Sequence, residues 1–169
     1  QALDDVRKPL IVMTPKSLLR EKLASSHKDD IIHGYFKHVL DDIEVEPTKV
    51  KRLGFTSGKV YYDLLKYRHE KGIDDTALVR IEQYFPFPKN QIAELISKYK
   101  NAEKILWIQE ESENAGAWNF MSLKLMNLAG GIPVQYVGRK ASASTAPGSK
   151  ALFDESQLKL IKSAFGIDD

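Results

Sequence analysis

The sequence contains no cysteine, which excludes disulfide bridges, thiolate metal sites and cysteine nucleophiles. It has no apolar run of about 20 residues, the length of a membrane-spanning helix, and its first residues lack the apolar core of a signal peptide. Neither charge dominates, because 25 Lys and Arg stand against 23 Asp and Glu, with both signs interspersed. That balance gives no cluster of like charges of the kind that indicates nucleic-acid or membrane binding. We therefore expect a soluble, intracellular protein whose 169 residues form one domain.

Five short apolar segments alternate with amphipathic helical patterns. They predict strands at residues 9–13, 50–55, 76–82, 104–108 and 134–137. We expect the other strands to pair around segment 76–82, which is apolar enough to be buried on both faces. Segment 50–55 should lie nearer an edge, because Lys51 and Arg52 interrupt it. The alternation predicts an α/β fold: a three-layer α/β/α sandwich with a five-stranded, mainly parallel sheet.

Helices are predicted where apolar residues recur at spacings of three and four. The predicted helices pass through Leu18 and Leu23, then cover residues 29–40, 59–71, 89–100, 118–128 and a segment near the end of the chain. Ser57 is placed to cap the third of these helices, and Gly72 to end it. Asp154 and Gln157 resemble a capping box for the last helix. The acidic stretch 109–116 is predicted to be a loop that follows the fourth strand.

The sequence shows no complete catalytic centre and no metal site. The four histidines are not spaced with carboxylates as zinc ligands are, and we interpret them as ordinary surface residues. The hydroxyl residues Ser142, Ser144 and Thr145 lack the glycine elbow of a serine hydrolase and are interpreted as loop and cap residues. We therefore predict neither catalytic nor metal-binding residues within this chain.

Two loops at strand ends have a functional and a structural interpretation. In Thr56-Ser-Gly-Lys59, the free amides of a helix start lie beside a lysine and can attract an anion. The several glycines of a phosphate loop are missing, however, which favours a purely structural turn. The acidic residues 110–113 can bind a metal or a basic partner, and a solvated loop is the alternative.

A cationic rim is the remaining candidate site. Carboxyl ends of parallel strands share one edge of a sheet, and ligands bind at that edge in α/β folds. We therefore expect an anionic effector, a phosphate or carboxylate, to be bound there by Lys16, Ser17, Arg20, Arg80 and Arg139. The alternative is that these cations pair with the acidic loop or with another subunit. Arg80 and Glu82, two residues apart on one strand face, can also pair with each other.

Several blocks of the sequence closely resemble the C-terminal region of 2-oxoglutarate dehydrogenase, in that family's order and spacing. The blocks are Arg7-Lys-Pro-Leu-Ile-Val-Met-Thr-Pro-Lys-Ser-Leu-Leu-Arg20, Ser57-Gly-Lys-Val-Tyr-Tyr-Asp-Leu64, Val79-Arg-Ile-Glu-Gln83, Pro86-Phe-Pro88, Trp107-Ile-Gln-Glu-Glu111, Gly116-Ala-Trp118, Tyr136-Val-Gly-Arg139 and Ala141-Ser-Ala-Ser144. The chain departs from the family pattern at four sites: Thr56 replaces a cysteine, Tyr84-Phe85 replaces Leu-Tyr, Glu21-Lys22 replaces His-Pro, and Thr145 replaces a proline. These are loop and packing changes.

The resemblance implies a single transketolase C-terminal-like domain at residues 7–169, with residues 1–6 a linker or a cloning remnant. It implies that one edge strand of the sheet can run antiparallel to the rest. The parent enzyme would use thiamine diphosphate and Mg²⁺, but the family's Gly-Asp-Gly cofactor motif and substrate-binding histidines are absent from this chain. No cofactor is therefore expected in this fragment, which should stabilise the parent homodimer.

Further partners implied by the resemblance are the rest of the parent chain and the dihydrolipoyl succinyltransferase component of the complex. The location would be the bacterial cytoplasm or the mitochondrial matrix. Two alternatives stay open at this point. One is the same domain of a 2-oxoadipate dehydrogenase-like paralogue, and the other is an independent nucleotide-binding or interaction module.

Overall fold

A computed structural model describes Pro9 and residues 11–167. The chain divides into two compact units, residues 1–34 and residues 35–169. In the first unit, the described residues form two 3-10 helices, Lys16–Arg20 and Lys22–Ala24, and the short helix α1, Lys28–Ile32. None of the described residues of this unit is buried. The expectation of a single domain from residue 7 stays a prediction, and its proposed linker at residues 1–6 lies outside the described residues.

The second unit contains one five-stranded sheet with helices on both faces. Its strands are β1 (Val39–Leu40), β2 (Arg52–Thr56), β3 (Thr76–Ile81), β4 (Lys104–Ser112) and β5 (Val134–Arg139). Its helices are α2 (Val60–Lys71), α3 (Lys89–Lys98), α4 (Trp118–Leu128) and α5 (Lys150–Ala164). The strand order is β1-β3-β2-β4-β5, parallel except for β1, which pairs antiparallel with β3 at the edge. The predicted fold class is confirmed, as is the antiparallel edge strand that the resemblance implied.

The two faces of the sheet carry separate cores, because side chains alternate along each strand. On one face, Phe55, Val79 and Trp107 pack with residues of α3 and α4 such as Ile92 and Met121. The other face presents mainly Leu78, Leu106 and Ile108 to α2 and α5, whose buried residues include Val60, Leu64, Leu160 and Ile161. The sheet and the helices on its two faces therefore form three layers, with one core on each side of the sheet.

The predicted first strand at residues 9–13 is wrong. Ile11, Val12 and Met13 have no regular structure and are 66% to 90% exposed, and Leu10 lies outside the described residues. The predicted helix at residues 29–40 is also wrong, because α1 ends at Ile32 and Val39–Leu40 form β1 instead. A β-carbon at Gly34 would lie 1.8 Å from the carbonyl oxygen of Asp30, so only glycine fits after this helix.

The sheet's centre also differs from the prediction. Strand β2 is the middle strand, with β3 and β4 on either side, and is not nearer an edge. Its charge is confined to its start, where Arg52 Nη1 donates to Asp75 Oδ2 at 2.7 Å, and residues 53–56 are buried. Strand β3 does lie inside the sheet, as predicted.

Three local predictions are corrected by hydrogen bonds. Helix α5 is capped by Ser149 Oγ, which accepts from the amide of Leu152, and not by Asp154. Helix α2 has no side-chain cap from Ser57, although it ends at Gly72 as predicted, with φ of 64°. The first part of the predicted acidic loop, residues 109–112, belongs to β4 instead. This strand continues past a register irregularity between Ile108 and Ser112 and pairs Ser112 with Arg139.

Candidate functional site

Strands β2 to β5 run parallel, so their carboxyl ends lie along one edge of the sheet. The chain leaves β2 to form β3 on one side and later returns to form β4 on the other side. The carboxyl ends of β2 and β4 therefore flank a topological switch point, where open α/β sheets leave a crevice for ligands. This edge is the part of the second unit where a functional site is expected.

A cleft of about 450 Å³ lies at that switch point. Its walls combine the turn after β2, the segment after β3, the end of β4 and the start of α4. Its lining residues are Ser57, Gly58, Tyr84, Phe85, Trp107, Gln109, Glu111, Gly116, Ala117 and Phe120. Aromatic side chains dominate the walls, and Glu111 is the sole ionisable carboxylate among these lining residues. The cleft therefore suits an apolar or planar group better than an anion.

Gln109 holds together the turn that leads from β4 to α4. Its Oε1 accepts from Trp107 Nε1 at 2.8 Å and from the amides of Ala117 and Trp118 at 3.2 and 3.0 Å. Its Nε2 donates to the carbonyl oxygens of residues 111, 112 and 115 at 3.3, 3.1 and 2.8 Å. Gly116 has φ of 66°, and a β-carbon there would meet the Gln109 amide at 2.9 Å. Gln109 is therefore a positioning residue.

Tyr84 and Ser57 supply hydroxyl groups to the cleft. Burial raises the pKa of Tyr84, and the nearby Glu111 and Glu82 charges add to this effect, although a hydrogen bond with Ser57 opposes it. The phenol is therefore neutral at physiological pH and can act as a hydrogen-bonding group but not as a base. Gly58 has φ of 72°, which explains the glycine in this turn.

Arg80 lies near the end of β3, on the face that packs against α2. Its guanidinium lies over the rings of Tyr61 and Tyr62, 4.9 and 5.4 Å from their centroids, and Nη1 donates to Tyr62 Oη at 2.7 Å. Its Nε approaches Glu82 Oε1 to 2.5 Å as an ion pair, without hydrogen-bond geometry. The predicted pairing of Arg80 with Glu82 is therefore confirmed. The Arg80 side chain is still 22% exposed.

Arg139 ends β5 and is already occupied by protein partners. It donates to Ser156 Oγ at 3.1 Å, to Gln157 Oε1 at 2.8 Å and to the carbonyl oxygen of Glu110. Its guanidinium also lies 4.9 Å from the ring centroid of Phe153. An anion would have to displace these contacts to reach Arg139.

Lys59, in the turn predicted to attract anions, is also paired. Its Nζ lies 2.7 Å from Asp63 Oδ2 and 3.0 Å from Glu110 Oε1, and Gln157 Nε2 donates to both carboxylates at 2.9 Å. Burial alone would lower the pKa of Lys59, but the hydrogen bonds to Asp63 and Glu110 outweigh it, and the pKa is raised. Lys59 therefore stays charged and holds α2, β4 and α5 together, which is the structural interpretation of this turn.

The predicted effector residues fall into both units. Lys16, Ser17 and Arg20 lie together in the 3-10 helix Lys16–Arg20 of the first unit. Arg80 and Arg139 lie in the second unit, on strands separated by β2 and β4, each with its own partners. The gathering of these five residues around one anion stays a prediction. Sequence reasoning missed the aromatic cleft. The only signal in the sequence was the aromatic pair Tyr84-Phe85, which the fold brings to the same cleft as Gly116 and Ala117.

The described residues contain no group of three histidine, aspartate or glutamate side chains able to hold a metal ion. No helix among them is long and apolar enough to cross a membrane. The acidic residues at the end of β4 serve separate purposes, since Glu110 pairs with Lys59 and Glu111 lines the cleft.

Comparison with known proteins gives a consistent result. The sequence profile described as 2-oxoglutarate dehydrogenase C-terminal matches residues 25–165. The chain is 44% identical to the 2-oxoglutarate dehydrogenase E1 component of Azotobacter vinelandii, over 99% of this chain and 18% of the relative. It is 47% identical to that of Cupriavidus necator, over 94% of this chain and 17% of the relative.

A fused relative and a solved structure extend the comparison. The 2-oxoglutarate dehydrogenase E1/E2 component of Corynebacterium glutamicum is 40% identical over 97% of this chain and 14% of the relative. The chain thus spans less than a fifth of the length of these relatives. A split-gene transketolase, solved as an inactive beta4 tetramer, matches 79% of this chain and 45% of its own with a TM-score of 0.52. At 16% identity, that likeness shows the fold alone.

Proposed function

Because the chain belongs to the 2-oxoglutarate dehydrogenase C-terminal family, we propose that it is the non-catalytic C-terminal domain of an E1 component. The parent enzyme would carry out oxidative decarboxylation of 2-oxoglutarate and transfer the succinyl group to lipoyl groups of the next component. The observation that carries this proposal is the 40% to 47% identity with E1 and E1/E2 components over nearly all of this chain. The setting would be the bacterial cytoplasm, or the mitochondrial matrix in a eukaryote.

The chemistry of the parent enzyme would be located outside this chain. Thiamine diphosphate requires a divalent cation and ligands for its diphosphate, and the described residues offer no cluster of carboxylates or histidines for that cation. The cleft's one carboxylate, Glu111, is an exposed residue beside aromatic walls and does not meet that requirement. The residues present therefore do not fit the cofactor, and we derive no catalytic step through it.

The fold's contribution would be structural, together with a site for an anionic effector. Of the five predicted effector residues, Arg80 has the strongest support, because it lies at the ligand edge, is partly exposed and is oriented by two tyrosine rings. An incoming phosphate would compete with Glu82 for the guanidinium. Lys16, Ser17, Arg20 and Arg139 complete the proposed set.

The effector proposal is tested by titrating AMP and acetyl-CoA into the chain and into an Arg80→Ala variant by calorimetry. We expect binding tighter than about 1 mM in the wild type, weakened by salt and by Arg80→Ala. Arg80→Lys should restore part of the binding, because it keeps the charge but loses the planar fork. Lys104→Ala is the matched control, since Lys104 is an exposed cation at the opposite end of β4.

Two results would contradict the effector proposal. One is that neither ligand binds the wild type below about 1 mM, and the other is that Arg80→Ala binds as well as the wild type. The wider proposal has a separate test: the full-length enzyme should decarboxylate 2-oxoglutarate faster than 2-oxoadipate. A preference for 2-oxoadipate would favour the paralogue.

A further inference from the structure

Helix α4 carries large apolar residues on two opposite sides, and the exposed Asn119 and Asn127 lie among those of the outward side. Its inward residues Met121 and Leu125 are fully buried against the sheet. Its outward residues Phe120, Leu123 and Met126 are 40%, 67% and 48% exposed, and their spacing of three residues aligns them along one side of the helix. A surface helix normally turns charged or polar residues outward, so three large exposed apolar residues on one outward side are unusual.

The outward side of α4 is continuous with aromatic residues that follow β3. The ring of Tyr84 lies 6.4 Å from that of Phe120, and both residues line the 450 Å³ cleft together with Phe85. Phe85 is 82% exposed. We call the surface formed by Tyr84, Phe85, Phe120, Leu123 and Met126 the α4 face.

Charged side chains border the α4 face: Lys124 lies over the ring of Phe120, and Glu111 lines the same cleft as Tyr84 and Phe85. Lys124 Nζ is 4.4 Å from the ring centroid of Phe120 and 5.5 Å from that of Phe87. An apolar centre with a cation beside it is the composition of a protein interface. It differs from the composition of a solvated surface.

The other helices of the second unit lack such a surface. Helix α3 turns Gln91, Glu94 and Lys98 outward. The exposed leucines of α5, Leu152 and Leu158, stand among lysine, aspartate and glutamate residues. A contiguous exposed apolar patch on one side of a domain marks an interaction site, whereas isolated exposed leucines are ordinary.

We infer that the α4 face is the docking surface for the region of the parent enzyme that precedes residue 1; this inference rests on the proposed function. The matched relatives are more than five times as long as this chain, and the matched family is by its description C-terminal. On the proposed function, most of the parent therefore lies upstream. That region forms a partner that is covalently attached and present at high effective concentration.

The chemistry of the face favours this permanent partner over a transient one. Permanent interfaces are more hydrophobic than those of encounter complexes, and a permanently covered apolar face carries no aggregation risk. A hydrophobic interface would also hold the two regions in a fixed orientation, where a polar interface would let them move.

Photo-crosslinking in the full-length chain tests the inference. A benzoylphenylalanine is placed at Leu123, and a second variant carries it at Leu158, the matched exposed leucine of α5. After irradiation, peptides are identified by mass spectrometry in a mixture of isotopically labelled and unlabelled protein. We expect position 123 to crosslink to upstream residues, and position 158 to crosslink much less.

Each alternative result overturns the inference. Crosslinks from position 123 to residues 1–169 of a second copy would assign the face to pairing between copies of this domain. Crosslinks only to a separate polypeptide would assign it to another component, and no crosslinks above the level of position 158 would leave the face solvated. If the gene encodes no upstream thiamine-binding region, it is the proposed function that fails.

A substitution provides an independent measurement in the same full-length protein. Leu123→Asp places a charge in the proposed interface and should speed proteolytic cleavage between this domain and the upstream region several-fold. Leu158→Asp is the control and should leave the cleavage rate unchanged. Equal rates for both variants would contradict the inference.

Discussion

At the scale of single residues, the Asp42 side chain accepts a hydrogen bond from β3 that a neighbouring strand would otherwise accept at the sheet's edge. Its Oδ2 accepts from the amide of Leu78 at 2.8 Å and from Arg68 Nη1, and its Oδ1 accepts from Arg68 Nη2 at 3.3 Å. The Asp42 and Arg68 side chains are only 2% and 3% exposed. Removing either side chain would leave the other charge buried and unpaired. The resulting loss of folding free energy would far exceed the net stabilisation that the intact pair provides.

Glu44 extends this network to the surface and makes it sensitive to pH. Its Oε2 lies 2.7 Å from Arg68 Nη2 and 2.6 Å from His69 Nε2. Burial alone would raise the pKa of Glu44, but the hydrogen bonds from His69 and Arg68 outweigh it, and the pKa lies below its usual 4.5. The stabilisation from ionised Glu44 is therefore complete above the usual pKa and is lost as pH falls through the lowered folded-state pKa.

We predict that Glu44→Gln makes the free energy of unfolding less dependent on pH in the acid range. The effect should be at most about 1 kcal/mol, because the Glu44 side chain is 43% exposed. Urea denaturation at a series of pH values between about 6 and 3 measures it. Glu46→Gln, at an exposed carboxylate of the same loop, is the control, and equal pH slopes in both variants would contradict the prediction.

At the scale of elements, β3 was correctly predicted because nearly all of its residues are buried whichever face they point to. Val79 is completely buried: it pairs with Phe55 of β2 and packs in the same core as Ile92 of α3. Strand β1 could not be found, since two residues carry no periodicity, and its pairing with β3 depends on distant sequence. Apolar residues at 32, 35, 36 and 39 imitate a helix there.

We predict that Val79→Asp destabilises the chain by about 3 to 5 kcal/mol, because it buries a charge with no partner in the core beneath α3. Val79→Ala is the matched comparison. It should cost less, because it removes only two methyl groups. A shift in the denaturation midpoint worth less than about 1 kcal/mol for Val79→Asp would show that the strand is peripheral.

The candidate site was predictable only in part, for a related reason. The sequence located cations at strand ends, because parallel strands bring their carboxyl ends together. It could not show that Arg139 and Lys59 are bound by Glu110, Gln157 and Asp63, since those partners come from three different elements. The pairing of Arg80 with Glu82 was predictable because the two residues are only two positions apart in the sequence.

At the scale of the whole molecule, the described residues build a core on each face of the sheet, and their charged groups at its carboxyl edge are largely paired. Two apolar clusters cover the two faces of the sheet. The ionisable groups at the carboxyl edge mostly neutralise one another, as in the pairs Arg80–Glu82 and Lys59–Glu110.

We predict that the 169-residue chain neither binds thiamine diphosphate in the presence of Mg²⁺ nor decarboxylates 2-oxoglutarate. The physical reason is the lack of a carboxylate cluster for the cation among the described residues. Calorimetry with cofactor and Mg²⁺ measures the binding directly. Micromolar affinity would overturn the prediction, and the full-length enzyme is the positive control.

The carboxylate of Asp42 has a consequence for solubility as well as for folding. Strand β1 covers only Arg80 and Ile81 of the outer edge of β3, and the amide of Leu78 lies beyond its reach. Without Asp42 that amide would be an open donor on an apolar strand, which is the template on which a foreign strand adds. One side chain thus closes an edge that could otherwise recruit other chains into cross-β aggregates, so that light scattering as well as melting temperature would register its loss.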